Sequence, residues 1–301
     1  MVAGTGISCT LEELLHYQRT LIKAIPPKKV KAQQAGVHVS GFRGRGMDFS
    51  EVRGYQAGDD IRQMEWRVTA RTGEPHIKLY HEEKERPVFI VADYNPSMYF
   101  GSRVAYKSVV VSRFAAMLGF AASRHGDRVG GIVFSGDALK DIRPRARSQG
   151  VLPLVQQLSH FSNEMASSSL ALDNVLLQLR RLAKPSALIF ILSDFECLGD
   201  QFESYFKRLS MRADVISYLI SDRLERQPPQ PGRYAITDGH QQMILDTTTA
   251  QARQQYQQPY LDKLAYLNSV IKPGRLLELS AEDDLDMHLQ LAFSSFHDWR
   301  R

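Results

Sequence analysis

A doubly wound α/β domain with a mainly parallel sheet is predicted for most of this 301-residue chain. Three observations predict it. The runs "VFIVA" (88–92), "ALIFILS" (187–193) and "DVISYLI" (214–220) are apolar throughout instead of alternating, as strands buried on both faces are. Helical stretches separate them, the order that parallel strands require. Two of the runs end on an aspartate, Asp93 and Asp194, at the strand end where open α/β sheets gather ligand-binding groups.

Residues 11–25, "LEELLHYQRTLIKAI", carry leucine and isoleucine at near-helical spacing, with Thr10 as N-cap and Pro26 and Pro27 as the stop. From 36 to 80 the chain is rich in Gly, Arg and Asp, with a short helical candidate at "DIRQMEWRVTA" and a strand candidate at "HIKLYHE". Residues 1–80 are expected to pack on the main domain as a wrapping segment, and 81–301 to form the α/β domain. Within that domain follow the strand at 88–92, a helix over 103–124, the strands "RVGGIVF" and "LKDIRP", and helices near 149–160 and 171–183. The strand at 187–193, a helix near 201–211 and the strand at 214–220 come next. After the turn-rich "RQPPQPG", Asp238-Gly239 between short alternating runs marks an inserted hairpin near 233–246. A helix over 247–271, the strand "RLLEL" and a helix over 282–296 complete the chain, without internal repeats.

The balance of 43% apolar and 24% charged residues is that of a globular protein. No apolar stretch approaches the roughly 18 residues of a membrane span. The N-terminus does not resemble a signal peptide, and a cytoplasmic location is expected. Cys9 and Cys197 are far apart and suggest neither a disulfide framework nor a zinc site. The net charge of +5 is modest, although Lys28, Lys29, Lys31, Arg43 and Arg45 crowd the N-terminal part. A solvated face explains them better than nucleic-acid binding, because no aromatic residues are interleaved for stacking.

Asp93 is followed by Asn95 and Ser97 at every second position. If the strands ending on Asp93 and Asp194 are neighbours, their carboxylates share one rim, where like charges are costly unless a cation lies between them. Mg²⁺ accepts one or two carboxylates with hydroxyl or amide oxygens and water, and Mn²⁺ or Ca²⁺ are alternatives. The competing reading is that each aspartate caps the turn or helix after its strand. Asp59, Asp60, Arg62, Glu65 and Arg67 of "GDDIRQMEWR" need ionic partners if buried, as in a salt-bridged clamp that holds the N-terminal segment to the α/β domain. Alternatively Arg43, Arg45 and Arg62 contact a partner's carboxylate.

Asp93-x-Asn95-x-Ser97, with "LSD" at 192–194, resembles the metal-ion-dependent adhesion site of von Willebrand factor A domains. The stretch "GFRGRGMDFSEVRGYQAGDDIRQMEWRVTARTGEPHIKLYHEEKE" and "SDRLERQPP" are similar to the signature of the bacterial domain-of-unknown-function family 58. The resemblance implies a Rossmann-like sandwich of von Willebrand A type, no enzymatic activity, and association with MoxR-type AAA+ ATPases as an adaptor or chaperone-like partner. It implies a metal site of Asp93, Asn95, Ser97 and Asp194, with Ser168, or Ser169, in place of the family's threonine. Asn95 departs from the motif's serine. A Mg²⁺-dependent phosphohydrolase of haloacid-dehalogenase type is the enzyme alternative, with Asp93 as nucleophile, but Asn95 then stands where an acid is needed.

Overall fold

The computed structural model describes residues 5–24, 47–82, 85–136, 138–237 and 242–297. It divides into two units, Met1–Lys28 with Arg86–Arg301, and Lys29–Glu85. The N-terminal helix therefore belongs to the α/β unit and not to the signature segment, a different partition from the expected boundary at 80.

The order of elements is α1 (Leu11–Ala24), β1 (Met47–Gly54), α2 (Trp66–Thr72), β2 (His76–Glu82), β3 (Pro87–Asp93), α3 (Lys107–Arg124), β4 (Arg128–Ser135) and β5 (Ala138–Ala146). There follow α4 (Ser148–Ser162), α5 (Leu172–Leu182), β6 (Leu188–Ser193), α6 (Phe202–Ser210), β7 (Asp214–Ile220), α7 (Arg223–Arg226), β8 (Arg233–Thr237), β9 (Gln242–Asp246), α8 (Ala250–Val270), β10 (Leu276–Leu279) and α9 (Leu285–His297).

In the larger unit, six strands form one sheet in the order β10-β7-β6-β3-β4-β5, parallel except for the antiparallel β4–β5 pair. The apolar character of β3 follows from burial on both faces. Val88, Ile90 and Ala92 enter a core with Leu14 of α1, Val109 and Phe114 of α3, Leu154 of α4 and Leu289 of α9. Phe89 and Val91 enter the opposite core with Leu176 of α5, Phe206 of α6 and Leu267 of α8. Fully burying each such side chain contributes roughly 1.5–3 kcal/mol, and a charge at Ile90 would forfeit this on a strand with no route to water.

α3 is buried from Lys107 to Ala122 with few breaks, because it is enclosed by the sheet and by other helices. α1 is tied down by Glu13, whose Oε1 accepts from Arg113 Nε at 2.8 Å, and by the Cys9 carbonyl, which accepts from Ser159 Oγ at 3.0 Å. At the sheet edge, the register of β4 against β5 shifts between Val129 and Gly131. A Cβ on Gly130 would lie 2.4 Å from the Ile142 carbonyl oxygen, so glycine permits this bulge. β5 carries Lys140, Arg143, Pro144 and Arg145, residues that discourage pairing with another edge. β8 and β9 pair antiparallel as expected, while the Asp238-Gly239 turn lies outside the described residues.

In the smaller unit, β1 and β2 form an antiparallel pair with a register shift between Phe49 and Glu51. The single helix expected at "DIRQMEWRVTA" is split into a 3-10 turn, Ile61–Gln63, and α2. Met64, between them, forms a β-bridge with Ile77, which is buried. Instead of a clamp onto the α/β domain, the ion pairs of two signature acids lie within this unit, while Asp60, Arg62 and Arg67 are exposed. Asp59 pairs with Arg53 at 2.8 Å, and Glu65 pairs with Lys78.

Candidate functional site at the carboxyl ends of β3 and β6

β3 and β6 are adjacent and parallel, with Ala92 level with Leu192, so Asp93 and Asp194 end neighbouring strands. Both are buried, at 2% and 1% exposure. Each closes the same kind of turn: Asp93 Oδ1 accepts from the Asn95 N–H at 2.8 Å, and Asp194 Oδ1 accepts from the Glu196 N–H at 3.2 Å. Ser193 Oγ donates to Asp93 Oδ2 at 2.6 Å and accepts from the Phe195 N–H at 2.9 Å. In this turn Phe195 has φ +54°, a backbone region that bulky residues rarely enter.

Asn95 acts as a clip. Its Oδ1 accepts from the Leu170 N–H at 2.8 Å and the Gly136 N–H at 3.3 Å, and its Nδ2 donates to the Leu170 carbonyl at 3.0 Å. The side chain thus ties the β3 turn to the β4–β5 turn and to the loop before α5. Gly136 has φ +46°, and a Cβ there would lie 2.8 Å from Ala166 Cβ and 2.9 Å from the Ser168 carbonyl oxygen. Ser168 is therefore packed against this turn, half-buried, and Ser169 is exposed. Ser97 is half-buried in a 3-10 turn, Pro96–Met98. Among the described residues, no hydrogen bond joins Ser97 or Ser168 to either aspartate. Arg43 and Arg45 lie outside the described residues, and Arg62 is exposed in the smaller unit.

A lysine that sequence reasoning missed completes the site. Lys107, the first residue of α3 and 2% exposed, places Nζ 2.8 Å from Asp194 Oδ2 and 2.6 Å from Glu225 Oε1. A cation at a helix N-terminus opposes the helix dipole and is tolerated here because two carboxylates face it. Burial alone would lower the Lys107 pKa, but Asp194 and Glu225 outweigh burial and raise it, so the amine remains charged. Glu225 is itself fixed: its Oε2 accepts from the Asp222 N–H at 2.8 Å, and Asp222 Oδ1 accepts from the Leu224 N–H at 2.8 Å, a capping box around α7. The D-x-x-E spacing in "SDRLE" was the sequence signal for that box; nothing local linked it to Lys107. α8 closes the outer side, with Lys263 donating to the Asp194 carbonyl at 3.4 Å and pairing with Glu196.

The two aspartates differ. Burial, and then the charge of Asp194, push Asp93 up to about 7, against smaller opposing contributions from Ser193, the Asn95 N–H and Lys107. Asp194 is the carboxylate that carries the ion pair. These residues do not fit the Mg²⁺ site that the adhesion motif implies. The Asn95 amide oxygen already accepts two backbone N–H groups, Asp194 Oδ2 is bound by an ammonium, and a divalent ion on Asp194 would add a second cation, three positive charges in all, to one buried carboxylate. Among the described residues, no group of three or more His, Cys, Asp or Glu is arranged to hold a metal ion. No helix among them is long and apolar enough to cross a membrane.

The chain is 27% identical over 212 residues to "Uncharacterized protein Mb1516" of Mycobacterium bovis and, at the same identity, to "Uncharacterized protein Rv1480" of Mycobacterium tuberculosis, covering 70% of this chain and 66% of each relative. Among solved structures, it is similar to the conserved hypothetical protein BatB from Bacteroides thetaiotaomicron, with a TM-score of 0.44 and 13% identity over 71% of this chain and 99% of that one. An aerotolerance-related membrane protein from Bacteroides fragilis, carrying multiple mutations to serines, gives a TM-score of 0.47 and 14% identity over the same shares. Residues 51–265 match the family described as "Protein of unknown function DUF58", and the chain belongs to that family.

Proposed function

We propose that this protein is a non-enzymatic protein-protein interaction module on a von Willebrand A-type sandwich, which binds its partner over the loops at the carboxyl ends of β3 and β6. A parallel sheet with one antiparallel edge strand, and the D-x-N-x-S turn beside a second aspartate on the neighbouring strand, support the von Willebrand A reading. The partner that the family resemblance implies is a MoxR-type AAA+ ATPase.

One observation carries the binding role. Asp93, Asn95, Lys107 and Asp194 are engaged in hydrogen bonds within the protein, whereas large apolar side chains near them in the chain face solvent: Phe100 is 42% exposed, Val104 56% and Met165 68%. These residues adjoin the site through the chain. The Phe100 carbonyl accepts from the Lys107 N–H at 2.9 Å, and the carbonyl of Glu164, next to Met165, accepts from the Tyr99 hydroxyl at 2.7 Å. Exposed apolar residues around a rigid polar centre suit a protein interface better than a reaction chamber. The phosphohydrolase alternative fits less well, because both Asp93 oxygens accept internal hydrogen bonds and Asn95 occupies the acid's position.

The test is co-purification with the MoxR-type ATPase of the same genome. Phe100→Ala combined with Val104→Asp is expected to weaken binding by about tenfold or more without changing Tm. Undiminished binding would contradict this reading, and turnover of an aryl phosphate abolished by Asp93→Asn would favour the enzyme.

A further inference from the structure

The departure of this site from a metal-binding arrangement has a structural replacement. Lys107 Nζ lies between Asp194 Oδ2 and Glu225 Oε1, at 2.8 and 2.6 Å, and its side chain and that of Asp194 are each 2% exposed. The carboxylates come from different parts of the chain, one from the turn after β6 and one from α7. Their meeting point is the first turn of α3, beside the end of β3. An adhesion-type divalent ion would likewise gather carboxylates from separate strand ends.

We propose that the Lys107 ammonium is the resident cation of this rim, so that the protein holds the turn after β6 and α7 together without a divalent metal. Three features support this. The ammonium supplies the positive charge that Asp194 requires once removed from water, and the partly exposed Glu225 shares it. The amide oxygen of Asn95, which would face a metal in the adhesion motif, is committed to the Leu170 and Gly136 N–H groups. The second oxygen of each carboxylate is also bound, Asp194 Oδ1 by Glu196 N–H and Glu225 Oε2 by Asp222 N–H, so the pair is fixed on the lysine in one orientation. Unlike a metal ion, this cation is not removed by chelation and is always present. α8 reinforces the assembly from outside, since the Tyr256 hydroxyl donates to the Leu224 carbonyl at 2.6 Å and Lys263 to that of Asp194.

This inference concerns how the rim is built and stands whether or not the rim binds an ATPase. Its test uses the full chain. Mn²⁺ binding is followed by electron paramagnetic resonance, and Tm is measured in Mg²⁺ and in EDTA, for the wild type, Asp93→Ala and Lys107→Ala. The wild type is expected to show no saturable Mn²⁺ binding and the same Tm in both buffers. Lys107→Ala is expected to lower Tm by roughly 10 °C, as removal of one member of a buried ion pair does. Saturable Mn²⁺ binding by the wild type that Asp93→Ala abolishes would overturn the proposal. So would a Lys107→Ala protein as stable as the wild type. If Lys107→Ala does not fold, the wild-type measurements decide, and Lys107→Arg, which keeps the charge, is expected to fold.

Discussion

Lys107 Nζ lies 2.8 Å from Asp194 Oδ2, and both side chains are withdrawn from water. This pair joins the start of the central helix to the end of β6, and Glu225 extends it to α7.

The two carboxylates on Lys107 should not be equivalent. The Asp194 side chain is 2% exposed, whereas that of Glu225 is 27% exposed and water can take over part of its role. Asp194→Ala is expected to lower stability by about 3–5 kcal/mol, and Glu225→Ala by about 1–3 kcal/mol, including loss of the capping box. Urea unfolding with unchanged m-values checks the order.

Asp93 gives the site a pH signature. Its folded pKa of about 7 lies above the ordinary aspartate value, so the native state binds more protons than the unfolded chain between about pH 4 and 7. This stability is fully present below the unfolded pKa and is lost as pH rises through the folded one. The loss should be on the order of a few kcal/mol. Asp93→Asn keeps an acceptor for the Asn95 N–H and should flatten this part of the curve. Unfolding midpoints of the two proteins across this range test it.

Asn95 should not be replaceable by the serine of the adhesion motif. A serine hydroxyl is too short to span to both Leu170 and Gly136, so Asn95→Ser would leave buried backbone groups without partners at a cost of about 2–4 kcal/mol. Hydrogen exchange at Leu170 and Gly136 should accelerate. Protection at the wild-type level would refute the clip.

At Phe195 two effects compete. Glycine would relieve the positive φ by about 1–2 kcal/mol but forfeit a side chain that is 2% exposed and packed edge-on against Phe202, a loss of about 3–5 kcal/mol. Packing should win, and Phe195→Gly is expected to be destabilising by about 2–3 kcal/mol in chemical denaturation.

The central strands β3 and β6 were legible because burial on both faces writes an unbroken apolar run, and these two runs stop at Asp93 and Asp194, which end neighbouring strands. β1 was not legible, since "MDFSEVRG" has too few apolar residues to mark a strand without its partner β2. The split around α2 depends on the bridge between Met64 and Ile77, a tertiary contact that overrides helical spacing. Lys107 was hidden for a related reason. A lysine at the start of a helix ordinarily reaches solvent, and its partner Glu225 lies 118 residues further along. Only the fold reveals that the cation required by Asp194 is supplied from within the chain.

The most direct measurement is heteronuclear NMR of the lysine side-chain ammonium groups at neutral pH. The Lys107 signal is expected to be protected from exchange with water, unmoved by saturating Mg²⁺ and lost in Asp194→Asn. Loss of the Lys107 signal or a change in its shift on adding Mg²⁺, with return in EDTA, would mean that a metal competes for Asp194 and would contradict this expectation.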